Sequence, residues 1–201
     1  MTIRGIPIID RWYLWPGQGN AMSGLSRAEV NLSQEVSQPS PATSMLRFAV
    51  CAVVVFAAAG YASSFTPGPW YRTLQSPVGT PPNWIFPPVW SVLYALLAIS
   101  FWWFWEQADA KPPTSKQIFR LGAAVFVAQL VANALWSQLF FGWHWIGLAL
   151  INIGFLWLSI LAMLLIFRRN SPLAANLLLP YLAWVGYATY LNAGFVYLNR
   201  E

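Results

Sequence analysis

An all-α membrane protein, built as a bundle of five transmembrane helices, is the fold class the sequence predicts, and three observations carry that reading. Five apolar runs are each long enough to cross about 30 Å of hydrocarbon, which takes roughly 20 helical residues. The chain is 58% hydrophobic and only 8% charged, against roughly 25% charged in an average soluble domain. Thirteen of its 201 residues are tryptophan, more than anchoring at the membrane interface uses.

Residues 1–44 are polar and unpatterned, and are expected to form a disordered extension. Their one apolar piece, Ile6 to Trp15, is interrupted by Pro7, Asp10 and Arg11 and is too short to span. Met22 and Met45 are alternative starts. The helices are predicted at about residues 45–65, 84–106, 117–141, 145–167 and 172–198. In the first, Arg47 precedes an apolar run that ends in the small residues Ala57 to Ala59, a pattern shared with cleavable leaders. Its bilayer length favours a retained helix.

Between the first two helices lies a Pro- and Gly-rich loop, Thr66 to Asn83, of a length that is more often functional than idle. The third and fourth helices are joined only by Gly142 to His144, and the fourth and fifth by Arg168 to Ser171, so both pairs are antiparallel neighbours. Pro180 is expected to bend the fifth helix and free the carbonyl of Asn176. Ala124, Ala128 and Ala132 make a ridge of small residues on the third, suited to close packing within the chain or in a homodimer.

The formal charge of +5 comes from Lys and Arg placed singly or in pairs beside apolar runs, not from a basic tract. The bilayer, and no nucleic acid, is the expected partner. Arg47, Lys111, Lys116, Arg120, Arg168 and Arg169 flank one side, Arg72 and Arg200 the other, which predicts a cytosolic N-terminus with the long loop and C-terminus outside. Cys51 is the single cysteine and excludes an intrachain disulfide. His144 is the single histidine and is read as a solvated loop residue; no metal cluster, phosphate loop or nucleophile triad stands beside it, and no cofactor is required.

At roughly 100° of rotation per residue, Phe86, Trp90, Tyr94, Leu97, Phe101 and Trp105 share one stripe of the second helix. The third presents Phe126, Gln129, Asn133, Trp136, Ser137 and Phe140, and the fifth Tyr181, Trp184, Ala188, Asn192 and Phe195. Lipid gives no reason to mix aromatic and amide groups in this way, because each buried amide needs a partner. Depth, counted from the loop end, brings Trp90, Tyr94, Asn133, Trp136, Asn152, Trp184, Ala188 and Asn192 together as a candidate ligand pocket beneath Thr66 to Asn83. Its flat faces and few donors suit a large planar apolar molecule, tetrapyrroles better than sterols. The stripes lack charge, which argues against an ion or proton relay.

The run from Trp84 through Phe86-Pro-Pro-Val-Trp90 to Tyr94, then Asn133-Ala-Leu-Trp136-Ser137 with Phe140-Phe141, then Pro180-Tyr181-Leu-Ala-Trp184 with Ala188 and Asn192, resembles the tryptophan-rich sensory protein family, also called the translocator protein or peripheral-type benzodiazepine receptor family. The resemblance covers about residues 45–200. It implies a five-helix membrane bundle, often dimeric, that binds porphyrin or haem and in some members cholesterol, with Trp90, Tyr94, Asn133, Trp184 and Ala188 in the pocket. It implies a role in porphyrin transport or stress sensing. For some bacterial members it implies light- or oxygen-dependent porphyrin breakdown, which would make Trp90 and Trp184 the candidate catalytic residues. The chain departs from the pattern at Asn152, where many relatives carry Asp. Leu191, Tyr197 and Arg200 meet a loose cholesterol-recognition pattern.

Overall fold

The structure is a computed structural model and describes residues 39–109 and 114–200. The expected polar head therefore falls, up to residue 38, outside the described residues, as does Lys111. Among the described residues, seven α-helices follow in chain order: α1 (Pro41–Ser63), α2 (Pro69–Thr73), α3 (Phe86–Asp109), α4 (Thr114–Ser137), α5 (Ile146–Asn170), α6 (Pro172–Asn176) and α7 (Leu179–Leu198). A 3-10 turn, Asn83–Ile85, leads into α3, and a π-turn, Gln138–Gly142, extends α4.

Helix α1 begins at Pro41, four residues ahead of the expected Met45 and inside the expected disordered head. The cause is local chemistry. Ser40 accepts a hydrogen bond from the Thr43 N–H at 3.2 Å, and Pro41 occupies the first turn, where its missing N–H leaves nothing unpaired. At the other end the Ser63 and Ser64 hydroxyls donate to the Gly60 carbonyl before Pro67 forbids continuation.

Helix α1 and the stretches Asn83–Asp109, Lys116–Gly142 and Ile146–Asn170 are long and apolar enough to cross a membrane. The fifth span differs from expectation. Ser171 caps α6 by accepting from the Ala174 N–H at 3.3 Å, the chain turns at Leu177 and Leu178, and α7 starts afresh. Pro180 therefore stands in the first turn of α7 instead of bending a continuous helix. At about 1.5 Å per residue, the 20 residues of α7 still reach about 30 Å.

The long helices close into a ring in the order α1, α3, α7, α5, α4. Arg47 on α1 forms ion pairs with Glu106 and Asp109 at the far end of α3, and its guanidinium lies over Trp105. At this basic end the interior is solid. Phe101 stacks on Phe126 and Phe104 on Phe167, each pair at 3.9 Å and 8°. Gly122 admits them: a Cβ there would stand 2.6 Å from the Phe104 ring. Gly186 similarly lets the Trp157 indole close on α7, with 3.3 Å between its Nε1 and a Cβ built at that glycine. Of the expected alanine ridge, Ala132 is buried in the bundle and Ala124 is exposed.

Candidate functional site

Toward the loop end the bundle is hollow. A cavity of about 270 Å³ lies between α1, α3, α4 and α7, under the loop that carries α2. Trp90, Tyr94, Asn133, Trp136, Trp184, Ala188 and Asn192 all line it. Asn152, expected in the same group, does not: its side chain donates to the Ala132 carbonyl at 2.7 Å, tying α5 to α4. No charged side chain lines the cavity.

The wall is aromatic, with its polar atoms mostly engaged. Trp90 stacks on Tyr94 at 5.3 Å and meets Tyr181 edge-on at 6.1 Å, and Trp184 meets Phe86 edge-on at 6.0 Å. Behind these rings runs a ladder of hydrogen bonds. The Tyr94 hydroxyl donates to Asn133 Oδ1 at 2.6 Å, the Asn133 amide donates to the Tyr181 oxygen at 3.0 Å, and Tyr181 donates to Gln129 Oε1 at 3.0 Å. This satisfies groups that hydrocarbon would penalise, except the Gln129 amide nitrogen, which is buried without a partner. What remains toward a ligand is acceptor capacity on Tyr94 and Asn133 and the second amide N–H of Asn133.

A second tie holds the rim. Trp136 donates to Asn192 Oδ1 at 3.0 Å, and Asn192 donates to the Ile146 carbonyl at 2.9 Å. Trp184 is different, because its buried indole N–H has no partner.

The loop is strapped down over the cavity. Tyr71 reaches the cavity wall and packs its ring on Phe140, Phe141 and Phe195. Burial raises its pKa above the ordinary phenol value, so the hydroxyl stays neutral at physiological pH. Further along, Pro77 sits against Gly194, where a Cβ would be 2.5 Å from the proline ring. Tyr187 donates to the Gly79 carbonyl and Tyr190 to that of Val78 at 3.0 Å. Asn199 pairs with the Gln75 backbone in both directions, at 2.9 and 3.1 Å.

His144 contributes from the α4–α5 turn. It is exposed, yet its ring stacks on Trp70 at 3.9 Å and 17°. Its φ of 61° lies in the left-handed region that non-glycine residues seldom occupy.

Sequence reasoning missed the straps Tyr187, Tyr190, Gly194 and Asn199, and the α1 wall of Ala59 and Ala62. The spacing of Tyr187, Tyr190 and Gly194 along one side of α7 was the available signal. The sterol-pattern residues face different surroundings: Leu191 is buried in the cavity wall, whereas Tyr197 is exposed with the Arg200 guanidinium over its ring.

The TspO/MBR family model matches residues 47–198. The chain is 36% identical over 158 residues to the Tryptophan-rich protein TspO of Chlorobaculum tepidum, covering 77% of this chain and 97% of that protein. It is 34% identical over 156 residues to Protein CrtK of Rhodobacter capsulatus, covering 78% and 94%. With the human Translocator protein it shares 36% identity over 123 residues, covering 61% and 70%. With its apolar spanning helices, the chain is an integral multi-pass membrane protein and belongs to the TspO/MBR family.

Proposed function

We propose that this protein binds a tetrapyrrole, a porphyrin or haem, in the cavity beneath the loop, and acts in porphyrin transport or stress sensing. The observation that carries the reading is the uncharged aromatic cavity itself, with Trp90, Trp136 and Trp184 in its wall and Tyr94 and Asn133 as its polar edge. Flat rings gain stacking and dispersion there, and a few hydrogen-bonding groups fix orientation. The basic residues support a cytosolic N-terminus, with the loop and C-terminus on the opposite side.

A titration of the purified protein in lipid nanodiscs with protoporphyrin, haem and a sterol tests this. Saturable quenching of tryptophan fluorescence by the tetrapyrroles is expected, with weaker competition by the sterol. Asn133→Ala and Trp90→Ala should each weaken binding about tenfold, equivalent to about 1.4 kcal/mol. An absence of saturable quenching would remove the reading. Sedimentation of the purified protein in detergent tests the homodimer that the resemblance implies.

A second reading, light- or oxygen-dependent porphyrin breakdown, draws on Trp90 and Trp184 lining the same cavity. Under illumination in air, bound protoporphyrin should then give a new pigment, and Trp184→Phe should stop its formation while binding persists. Unchanged pigment formation in that variant counts against it.

A further inference from the structure

Neighbouring helices of the ring are tied by a polar contact at every seam but one. Arg47 joins α1 to α3, the Tyr61 hydroxyl joins α1 to the end of α4 through Gln138, Asn152 joins α5 to α4, and Asn192 joins α7 to the start of α5. Among the described residues, no hydrogen bond or ion pair joins α3 directly to α7. Ring edges meet there, Phe86 on Trp184 and Trp90 on Tyr181.

That untied seam separates two hollows. On its inner side is the cavity; on its outer side is an apolar groove formed by Pro88 and Val92 of α3 with Pro180 and Ala183 of α7. Trp184 lines both, so its side chain is the wall between them. Its α3 wall belongs to a stretch long and apolar enough to cross a membrane, and its lining presents no charge. Neither proline has an N–H to leave unpaired toward lipid.

We infer that this groove is a second site for the same ligand, a vestibule through which a flat apolar molecule dissolved in the bilayer reaches the cavity, with Trp184 as the gate. The inference rests on the cavity being a ligand site, as proposed above. Two features favour this route over the loop. Turning Trp184 breaks no hydrogen bond, because its N–H has none to lose, and gives up ring contacts with Phe86 and Tyr187 and apolar packing on the core. Lifting the loop breaks the bonds of Tyr187, Tyr190 and Asn199, unseats Pro77 from Gly194 and parts Trp70 from His144. A ligand of this class also partitions into hydrocarbon, so its concentration is higher at the groove than at the loop.

The test is stopped-flow quenching of full-length protein in phosphatidylcholine vesicles, with protoporphyrin IX as probe. Ala183 is exposed and lines only the groove, so Ala183→Phe fills the vestibule without entering the cavity. Association and dissociation rates should both fall about tenfold while Kd stays within twofold. Tyr190→Phe, which loosens the loop, should leave both rates unchanged. At fixed total probe, adding lipid should change the wild-type association rate in step with the probe's concentration in the bilayer, a readout that needs no variant. Rates that ignore Ala183→Phe and the added lipid, or that rise in Tyr190→Phe, overturn the inference and leave the binding reading standing. No saturable quenching in the wild type removes both.

Discussion

The two ends of this bundle use aromatic side chains in opposite ways. At the basic end phenylalanine predominates, and the rings fill space: two parallel stacks at 3.9 Å close over Gly122, with no polar edge to satisfy. At the loop end tryptophan and tyrosine predominate, Trp90 stands 5.3 Å from Tyr94 and 6.1 Å from Tyr181, and the polar edges of Tyr94, Tyr181 and Trp136 are anchored on amides. Parallel phenyl rings can approach until nothing lies between them. A ring held by a hydrogen bond at its edge is fixed in orientation and cannot collapse into a neighbouring void, so the loop end keeps its cavity. One end supplies stability to a structure whose other end is left open.

The comparison breaks most directly at Phe104, which is fully buried at the basic end. Phe104→Ala should lower stability by about 3–5 kcal/mol, the range for truncating a buried Phe, read as a drop in thermal midpoint. Probe affinity of the folded fraction should stay within twofold. A large loss of affinity with little loss of stability would mean that the two ends are not separable.

A smaller effect of opposite character is expected at Tyr181. Tyr181→Phe keeps the ring under Trp90 but removes the hydroxyl that links Asn133 to Gln129. Leaving buried polar groups unpaired costs about 1–3 kcal/mol. Because Asn133 lines the cavity, the amide should also lose its orientation, so stability and protoporphyrin affinity should fall together. A stability loss at unchanged affinity would assign the ladder to packing alone.

Much of this arrangement was legible in the sequence, for a physical reason. Apolar runs of bilayer length are hard to mistake, and face plus depth fixes where a residue sits on its own helix. Face and depth do not fix what stands opposite. Asn152 has the right depth, but its amide meets the Ala132 carbonyl of α4 and not the cavity. Pro180 reads alike whether it kinks a helix or opens one, and only the turn at Leu177 and Leu178 decides. The spacing of the loop straps was visible but their partners were not, because Tyr187 and Tyr190 bind backbone carbonyls, which carry no residue signature.

The smallest expected effect therefore sits at Asn152 and sharpens the boundary of the site. Its bond to Ala132 is one of the inter-helix hydrogen bonds that in membranes average about 0.6 kcal/mol. Asn152→Ala should cost about that much stability and leave protoporphyrin binding unchanged, because the residue lies outside the cavity wall. Asn152→Asp is the more demanding variant: an ionised carboxylate cannot donate to Ala132 and would face that carbonyl oxygen directly. It should destabilise more than the alanine does, and protonation on lowering the pH should restore the donor and recover part of the loss. If either variant instead changes affinity at constant stability, α5 belongs to the binding wall, and the division between the hollow and the solid end would have to be drawn around it.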